Sequence, residues 1–327
     1  MALTLAEAKV GYADKVEQNV IDEFRRSSIL LDKLTFDDTI SPTGGSNLVY
    51  GYQRLETPST AAVRQINSEY SPNEAKRTKC TASPVILGGS FQIDRVIAQT
   101  SGAINEMNFQ IKEKTKAGAN YFHNLVINGT SASTGTGYVP NTFDGLKKIL
   151  TGKSTEMTTD IDISTSALLD SNYNALLDEL DTFIALLAAK PDVLMMNSKM
   201  LTKVKSAARR AGYYDRNKDD FGRTVETYNG IILMDAGQYY NGSTTEDVVS
   251  TSTPGSDTYG TTDIYAAKLG LDAFHGISVD GSKMLKTYLP DLQAPGAVKT
   301  GEVELIAGAV LKNSKMAGVL KGIKLLG

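Results

Sequence analysis

The residue types that usually carry chemistry are few in this sequence and widely spaced. The only histidines are His123 and His275, and the only cysteine is Cys80. Zinc sites draw their ligands from short paired spacings, and these three residues form none. No serine has glycine both two residues before it and two after, so the nucleophile elbow of serine hydrolases is missing. Gly152-Lys153-Ser154 resembles the end of a phosphate-binding loop, where backbone amides cradle a phosphate and a lysine neutralises it. The glycine that opens such a loop would fall at position 147, which is Lys147, and Gly145 comes two residues too early. The segment also follows a helical pattern rather than a strand. Gly135-Thr136-Gly137 starts a dinucleotide fingerprint whose third glycine position holds Pro140. Asp160 and Asp162 share a face of an extended segment, as acid–base pairs and metal ligands do, but nothing else in the sequence supports that over a solvated loop.

One charged region stands out. Residues 199–223 hold eight Lys or Arg against three Asp. Clustered cations on a helix can track phosphates. The aromatic residues beside them are limited to Tyr213 and Tyr214, so a solvated or interfacial role is the better reading. Bulk composition agrees. The chain of 327 residues has 34 basic and 37 acidic side chains and a formal charge of −3, which favours neither a nucleic-acid nor a membrane partner. A single cysteine excludes an intrachain disulfide framework and fits a reducing compartment. The longest apolar run, Phe183 to Ala189, is far too short to span a bilayer. No metal, cofactor or catalytic group is assigned.

The elements that would position any site are easier to read. Residues 101–129 predict one long helix. Ile104, Met107, Ile111, Phe122, Leu125 and Val126 trace one face, continued by Thr115 and Gly118, with Gln110, Lys112, Glu113, Lys116 and Asn120 opposite. Ser101 can cap its start, and Asn128-Gly129 can end it through the left-handed conformation. At 1.5 Å per residue the rod is about 40 Å long, and its apolar face needs a partner surface along its length.

The rest of the chain supplies candidates for that surface. Residues 4–27 read as a first helix whose apolar stripe steps by four and so spirals, which suits contact with more than one neighbour. Residues 41–46 are a turn cluster. Strand character at Leu48, Tyr50 and Tyr52 returns at Val85 to Ile93, and the polar stretch between them reads as a long hairpin. Residues 46–90 carry Arg54, Arg64, Lys76, Arg77 and Lys79 against Glu56, Glu69 and Glu74. The hairpin tip cannot bury enough apolar surface to fold on its own domain, so it is either a surface loop or an arm laid on a neighbouring subunit. A flexible joint at 131–137 leads to a domain boundary near Pro140. Alternating helices and strands follow: a helix through Leu176, Leu177, Leu180, Ile184 and Leu187, a buried strand Val193–Met196, a helix capped by Asn197 or Ser198, and a hairpin around Asn229-Gly230. Residues 238–262 read as an exposed, mobile loop. Residues 303–324 read as two closing strands around Lys312-Asn313-Ser314 that return to the long helix.

This order of parts resembles the tailed-bacteriophage major capsid protein, whose HK-ninety-seven-like fold is shared with herpesvirus capsids and encapsulins. The most similar pieces are DVLMMNSKMLTKVKSAA, the strand pair YNGIILMD and the ending ELIAGAVLKNSKMAGVLKG. The resemblance implies an α+β capsid fold with an N-terminal arm (1–45), an extended loop (46–88), a peripheral domain with its spine helix (89–140 and 296–327) and an axial domain (141–295). It implies a non-enzymatic structural protein that self-assembles into hexameric and pentameric capsomers of an icosahedral virion shell. Double-stranded DNA would be enclosed and touched non-specifically, and assembly would take place in the host cytoplasm, away from membranes. Some members carry a charged scaffold segment ahead of the arm. This sequence begins almost at the arm, which implies a separate scaffolding protein, alongside a portal. Subunit-interface candidates are Arg25, Arg26, Arg54, Arg64, Lys76, Arg77 and Lys79. The alternative is an encapsulin-like compartment shell. A third reading, an α/β enzyme with its substrate near Lys153 or His275, is disfavoured by the missing catalytic groups.

Overall fold

The computed structural model describes residues 30–39, 49–100, 106–131, 142–212, 215–218, 224–253, 259–279 and 285–326. The first helix expected over 4–27, Arg25, Arg26, the turn cluster 41–46, the cap Ser101, most of the 131–137 joint and the boundary at Pro140 lie outside these residues. Helix α1 (Leu30–Lys33) and strand β1 (Phe36–Asp38) lead to a hairpin of β2 (Tyr50–Thr57) and β3 (Lys76–Ala82). Strand β4 (Val85–Asp94) and helix α2 (Arg95–Thr100) precede the long helix α3 (Glu106–Asn128). Then come α4 (Leu146–Leu150), β5 (Glu156–Thr158), α5 (Ser166–Ala185), β6 (Val193–Met196) and α6 (Ser198–Ala211). Strands β7 (Asp215–Lys218), β8 (Thr224–Tyr228), β9 (Ile231–Asp235), β10 (Gln238–Tyr240), β11 (Thr245–Asp247) and β12 (Gly260–Ala267) follow. Strands β13 (Phe274–Ser278), β14 (Leu285–Tyr288), β15 (Val298–Leu311) and β16 (Ala317–Leu326) close the chain.

Two sheets organise the molecule. The larger has seven strands in the order β5-β16-β12-β6-β9-β8-β7. Its central strand β6 is buried at every residue, as expected of a strand covered on both faces. Alternation sends Val193 and Met195 into the core beneath α3 and α4, and Leu194 and Met196 into a second core against α5 and α6. Local chemistry sets the boundaries. Thr165 accepts from the Leu168 amide to start α5, and Asn197 accepts from the Met200 amide to start α6. Asn229 and Gly230 both take positive φ, 49° and 72°, the paired left-handed conformation of a two-residue hairpin between β8 and β9.

The second sheet is built around β15, which is long enough to serve three partners. Its first ten residues pair antiparallel with β4, Glu302–Leu305 also pair with β14, and Gly308–Leu311 pair with β13, beyond which β1 adds in parallel. One face of this sheet lies on α3. The closing strands therefore do not form one hairpin returning together to the long helix. β15 stays on the helix, whereas β16 crosses into the seven-stranded sheet between β12 and β5. The crossing is made at 312–316, where the Asn313 side chain accepts from the Lys315 amide and Thr155 donates to the Ser314 carbonyl. β13 and β14 lie in the helix-covering sheet and β16 in the other, so the two sheets do not divide at residue 296. Likewise β4 starts at Val85, so residues 85–88 belong to the sheet and not to the extended loop.

Three local expectations change for physical reasons. Burial of α3 is concentrated at its C-terminal end, where Phe122 to Ile127 are all enclosed, and Asn120, expected on the polar face, is only 2 % exposed. The helix end is wedged between the β15 sheet, α4 and β10, which leaves Tyr121 and Asn128 exposed and encloses Phe122 to Ile127. Gly129 does end the helix, but by close approach and not by a left-handed φ. A Cβ at this position would lie 2.4 Å from the Phe143 carbonyl oxygen, and the Gly129 carbonyl accepts from the Gly145 amide. Residues 238–249 form a hairpin rather than a loop, exposed at its turn (240–244) and buried at its end. β10 and β11 pair around a turn in which Asn241 Oδ1 accepts from the Ser243 and Thr244 amides, and Val248 and Val249 are 1 % and 3 % exposed. The polar composition builds the turn; the two valines do the anchoring beside α3.

Candidate assembly interface

The β2–β3 hairpin is the part of the molecule least supported by its own body. The strands pair from Tyr50 opposite Ala82 to Thr57 opposite Lys76, and residues 58–75 form the tip. Alternation gives the hairpin two faces. Tyr50, Tyr52 and Arg54 are half-buried toward the body, while Gly51, Gln53 and Leu55 point away from it. In register with these, Cys80 lies on the inner side, and Lys79 and Arg77 lie outward opposite Gln53 and Leu55.

The inner face is pinned at its base. Tyr50 donates to Asp37 Oδ2 at 2.6 Å, and its ring meets His275 edge-on at 5.7 Å. Burial, together with the Asp37 and Asp38 carboxylates, pushes the Tyr50 phenol up, so it stays a donor. Arg54 donates to the Lys312 and Leu311 carbonyls, each at 2.9 Å, and lies 5.7 Å from the Tyr52 ring centre. This residue, one of those expected at a subunit interface, ties the hairpin to the crossing between the two sheets within the subunit.

Among the described residues the tip has no such anchor. Val63 is fully exposed, Ile66 is 91 % exposed and Tyr70 is 58 % exposed. Its order is local: Arg64 donates to the Ser68 carbonyl at 3.2 Å and lies over Tyr70, and Thr60 donates from its amide to Asn73 Oδ1. Among the described residues, Lys76, Arg77 and Lys79 form no ion pair. An isolated two-stranded ribbon with exposed apolar residues at its tip is marginal in water, and gains stability when laid against another surface.

The other sequence candidates fall elsewhere. Much of the basic region is used within the subunit: Lys203 donates to the Ile163 and Ser164 carbonyls, Lys205 pairs with Glu226, and Arg210 pairs with Asp170. Gly152 takes a left-handed φ in a turn after α4, not after a strand, so Lys153 lacks the frame of a phosphate loop. Lys153 instead lines a cleft of about 440 Å³ beneath the hairpin base, with Tyr52, Arg54, Ser131 and Asp144. Asp144 is held ionised by Lys148 and Ser131, which outweigh its burial. His123 and His275 are both buried, in separate places, without hydrogen-bond partners for His123 Nε2 or either His275 nitrogen. Burial pulls the His123 pKa down to about 4. Among the described residues, no group of three or more His, Cys, Asp or Glu could hold a metal ion, and no helix is long and apolar enough to cross a membrane.

Comparison with known proteins places this architecture. Residues 74–232 match the model of the family described as SU10 major capsid protein. The SrpI encapsulin complex of Synechococcus elongatus superposes with a TM-score of 0.67 at 12 % identity, over 99 % of this chain and 97 % of that one. The capsid of the native GTA particle gives 0.58 at 13 % identity over the whole of both chains. The capsid of Myoviridae phage XM1 gives 0.55 at 13 % identity, over 96 % and 98 %. The chain shares the fold of these shell proteins. It is the HK-ninety-seven-like capsid fold. A search of curated proteins finds no match. The weakly supported hairpin is the feature that sequence reasoning found through composition alone. The anchor Arg54 was less legible, because its partners are backbone carbonyls more than 250 residues away.

Proposed function

We propose that this subunit assembles into hexameric and pentameric capsomers of an icosahedral shell that encloses a double-stranded DNA genome, and acts without enzymatic chemistry. The observation that carries this reading is the hairpin, which is anchored at its base and projects an apolar, cationic ribbon that none of the described residues covers. In a shell each such ribbon is covered by a neighbour, and a contact that is weak alone is repeated in every subunit. A separate scaffolding protein would guide curvature, and a portal would occupy one vertex. Assembly would take place in the host cytoplasm and yield the virion shell. DNA would be touched only non-specifically, because the basic side chains of α6 are largely engaged within the subunit.

A second reading is an encapsulin-like compartment, which the superposition on the SrpI encapsulin favours. One experiment separates the two. The full chain is expressed, particles are isolated by density and imaged in negative stain, and nuclease-protected DNA is measured. Closed shells that protect DNA when packaging genes are present support the phage reading. Closed shells that retain a protein cargo and never protect DNA support the encapsulin reading. A monomer across salt, crowding and concentration, with or without a scaffold partner, overturns both.

A further inference from the structure

The cleft beneath the hairpin base carries charge that its own walls leave unmatched. Its volume of about 440 Å³ falls within the range of about 300–1,000 Å³ typical of small-molecule sites. Three parts of the subunit meet around it: the hairpin through Tyr52, Arg54 and Ala82, the end of β15 through Leu311, and the segment around α4 through Phe143 and Lys153. One wall is apolar. Phe143, Ala309 and Leu311 come from the core shared with α3, and the partly buried Ile149 packs against that core. The remaining lining is rich in hydroxyls, including those of Thr81, Ser83 and Thr142.

The charged residues that line the cleft are unequally engaged. Asp144, the one acid, accepts from the Ser131 amide at 2.8 Å, the Ser131 hydroxyl at 2.6 Å and the Lys148 amine at 2.8 Å. Arg54 is fixed by Nε and Nη2, which donate to the Lys312 and Leu311 carbonyls, and no bond uses its Nη1. Lys153 is exposed, and its amine makes no hydrogen bond or ion pair with any described residue. Two cations therefore keep N–H groups in reserve, against one carboxylate already held by three donors. Charge-assisted hydrogen bonds to an anion are the strong class. Arg54 is already held in place, so capturing an anion needs little further ordering beyond Lys153.

We propose that this cleft binds a small anion on an apolar body: a carboxylate carried by a short hydrocarbon chain or by the apolar last residue of a peptide. The carboxylate sits between Arg54 and Lys153, and the body lies on Phe143, Ile149 and Leu311. A neutral ligand would leave both cations unmatched, and a wholly polar anion would leave the apolar wall wet. An occupant touches the hairpin, β15 and the α4 segment at once, so it ties the hairpin base to the body alongside Arg54. The site lies within one subunit and stands whether or not that subunit builds shells.

Titration calorimetry on the full chain tests the site. The probes are octanoate and an N-acetylated alanyl-leucine peptide with a free C-terminus; octanamide and the amidated peptide are their neutral counterparts. At least one acid should bind, about tenfold or more tighter than its amide. Lys153→Met should weaken that acid about tenfold. Ala82→Trp should fill the cleft and abolish binding, with circular dichroism reporting whether that variant folds; Lys153→Met, at an exposed position, carries the test if it does not. Bound acid should also slow amide exchange in Tyr50–Thr57 and Lys76–Ala82. Binding of octanoate alone identifies a free acid as the ligand, and binding of the peptide alone identifies a protein C-terminus. Neither acid binding, amides binding as well as acids, or undiminished affinity in Lys153→Met overturns the proposal. Binding without slower exchange at the hairpin base places the probe elsewhere and overturns it too.

Discussion

Arg54 Nε donates to the carbonyl oxygen of Lys312 at 2.9 Å, across 258 positions of sequence. The bond joins the hairpin base to the turn where the chain leaves one sheet and enters the other. Anything that pulls on the hairpin therefore pulls on the junction of the two sheets.

Removing that anchor should loosen the hairpin before it unfolds the subunit. Hydrogen bonds to a charged group contribute about 1.5–3 kcal/mol each, and Arg54→Ala deletes two while leaving both cores untouched. The expected result is faster amide exchange in Tyr50–Thr57 and Lys76–Ala82, with protection of β6 and β12 unchanged. Equal loss of protection in both regions would show that the hairpin base is part of the cooperative core.

Two glycines of the spine helix region should respond in opposite directions. Gly118 has open space where a Cβ would stand, and alanine is favoured over glycine in a helix interior by about 1 kcal/mol. Gly118→Ala should raise the denaturation midpoint. Gly129→Ala would drive a methyl against two carbonyl oxygens, at 2.4 and 2.5 Å, and overpacking of this kind costs about 1–3 kcal/mol or more. Chemical denaturation of both variants checks the pair, and a stabilised Gly129→Ala would mean that the Phe143 segment can move aside.

Much of this fold was legible because its signals are local. Periodicity placed the long helix, the Val193–Met196 strand and α6; Asn229-Gly230 placed a hairpin; thin hydrophobicity from Glu56 to Thr81 marked an unsupported ribbon. What stayed hidden depends on distant partners. Nothing in ELIAGAVLKNSKMAGVLKG says that its two strands enter different sheets, because the turn at 312–314 is as good for a crossing as for a hairpin. Val248 and Val249 were lost in a polar stretch, since two adjacent apolar residues show no period. Arg54 differs from Arg77 only in strand parity, and parity assigns a face only once one residue of the strand is known to touch the body.

Asn197 should be worth more than a cap. Its Oδ1 accepts from the Met200 amide at 2.8 Å, and its Nδ2 lies within donating distance of Thr262 Oγ1, Thr251 Oγ1 and the Val249 carbonyl. Loss of an N-cap costs about 1 kcal/mol, and each buried partner left unsatisfied costs about 1–3 kcal/mol. Asn197→Ala should therefore destabilise the subunit well beyond an ordinary cap deletion, and Asn197→Asp should restore the cap without the donor. Urea midpoints for the two variants separate the terms. Equal stability of Asn197→Asp and wild type would show that the 248–251 segment holds itself in place.

The last prediction concerns acid. His123 is 3 % exposed, and burial lowers its pKa from the ordinary 6.5 to about 4. Asp32 pulls the other way but does not offset the burial. Between those two values the unfolded chain binds a proton that the folded chain does not, so the folding free energy falls as pH drops from about 6.5 toward 4 and stops falling below it. At 1.36 kcal/mol per unit the full loss is on the order of 3 kcal/mol. It should act at the spine helix, because His123 sits in the enclosed end of α3 beside Phe122. His123→Gln keeps the size and polarity of the side chain and cannot take up a proton. Carboxylates elsewhere titrate alike in both proteins, so the quantity to measure is the difference between wild type and variant in melting temperature from pH 7 to pH 4. Wild type should lose more stability than the variant over that interval, with the gap opening below pH 6.5. Parallel curves would mean that His123 takes up its proton in the folded state as readily as in the unfolded chain, and that the end of the helix opens to water before acid reaches it.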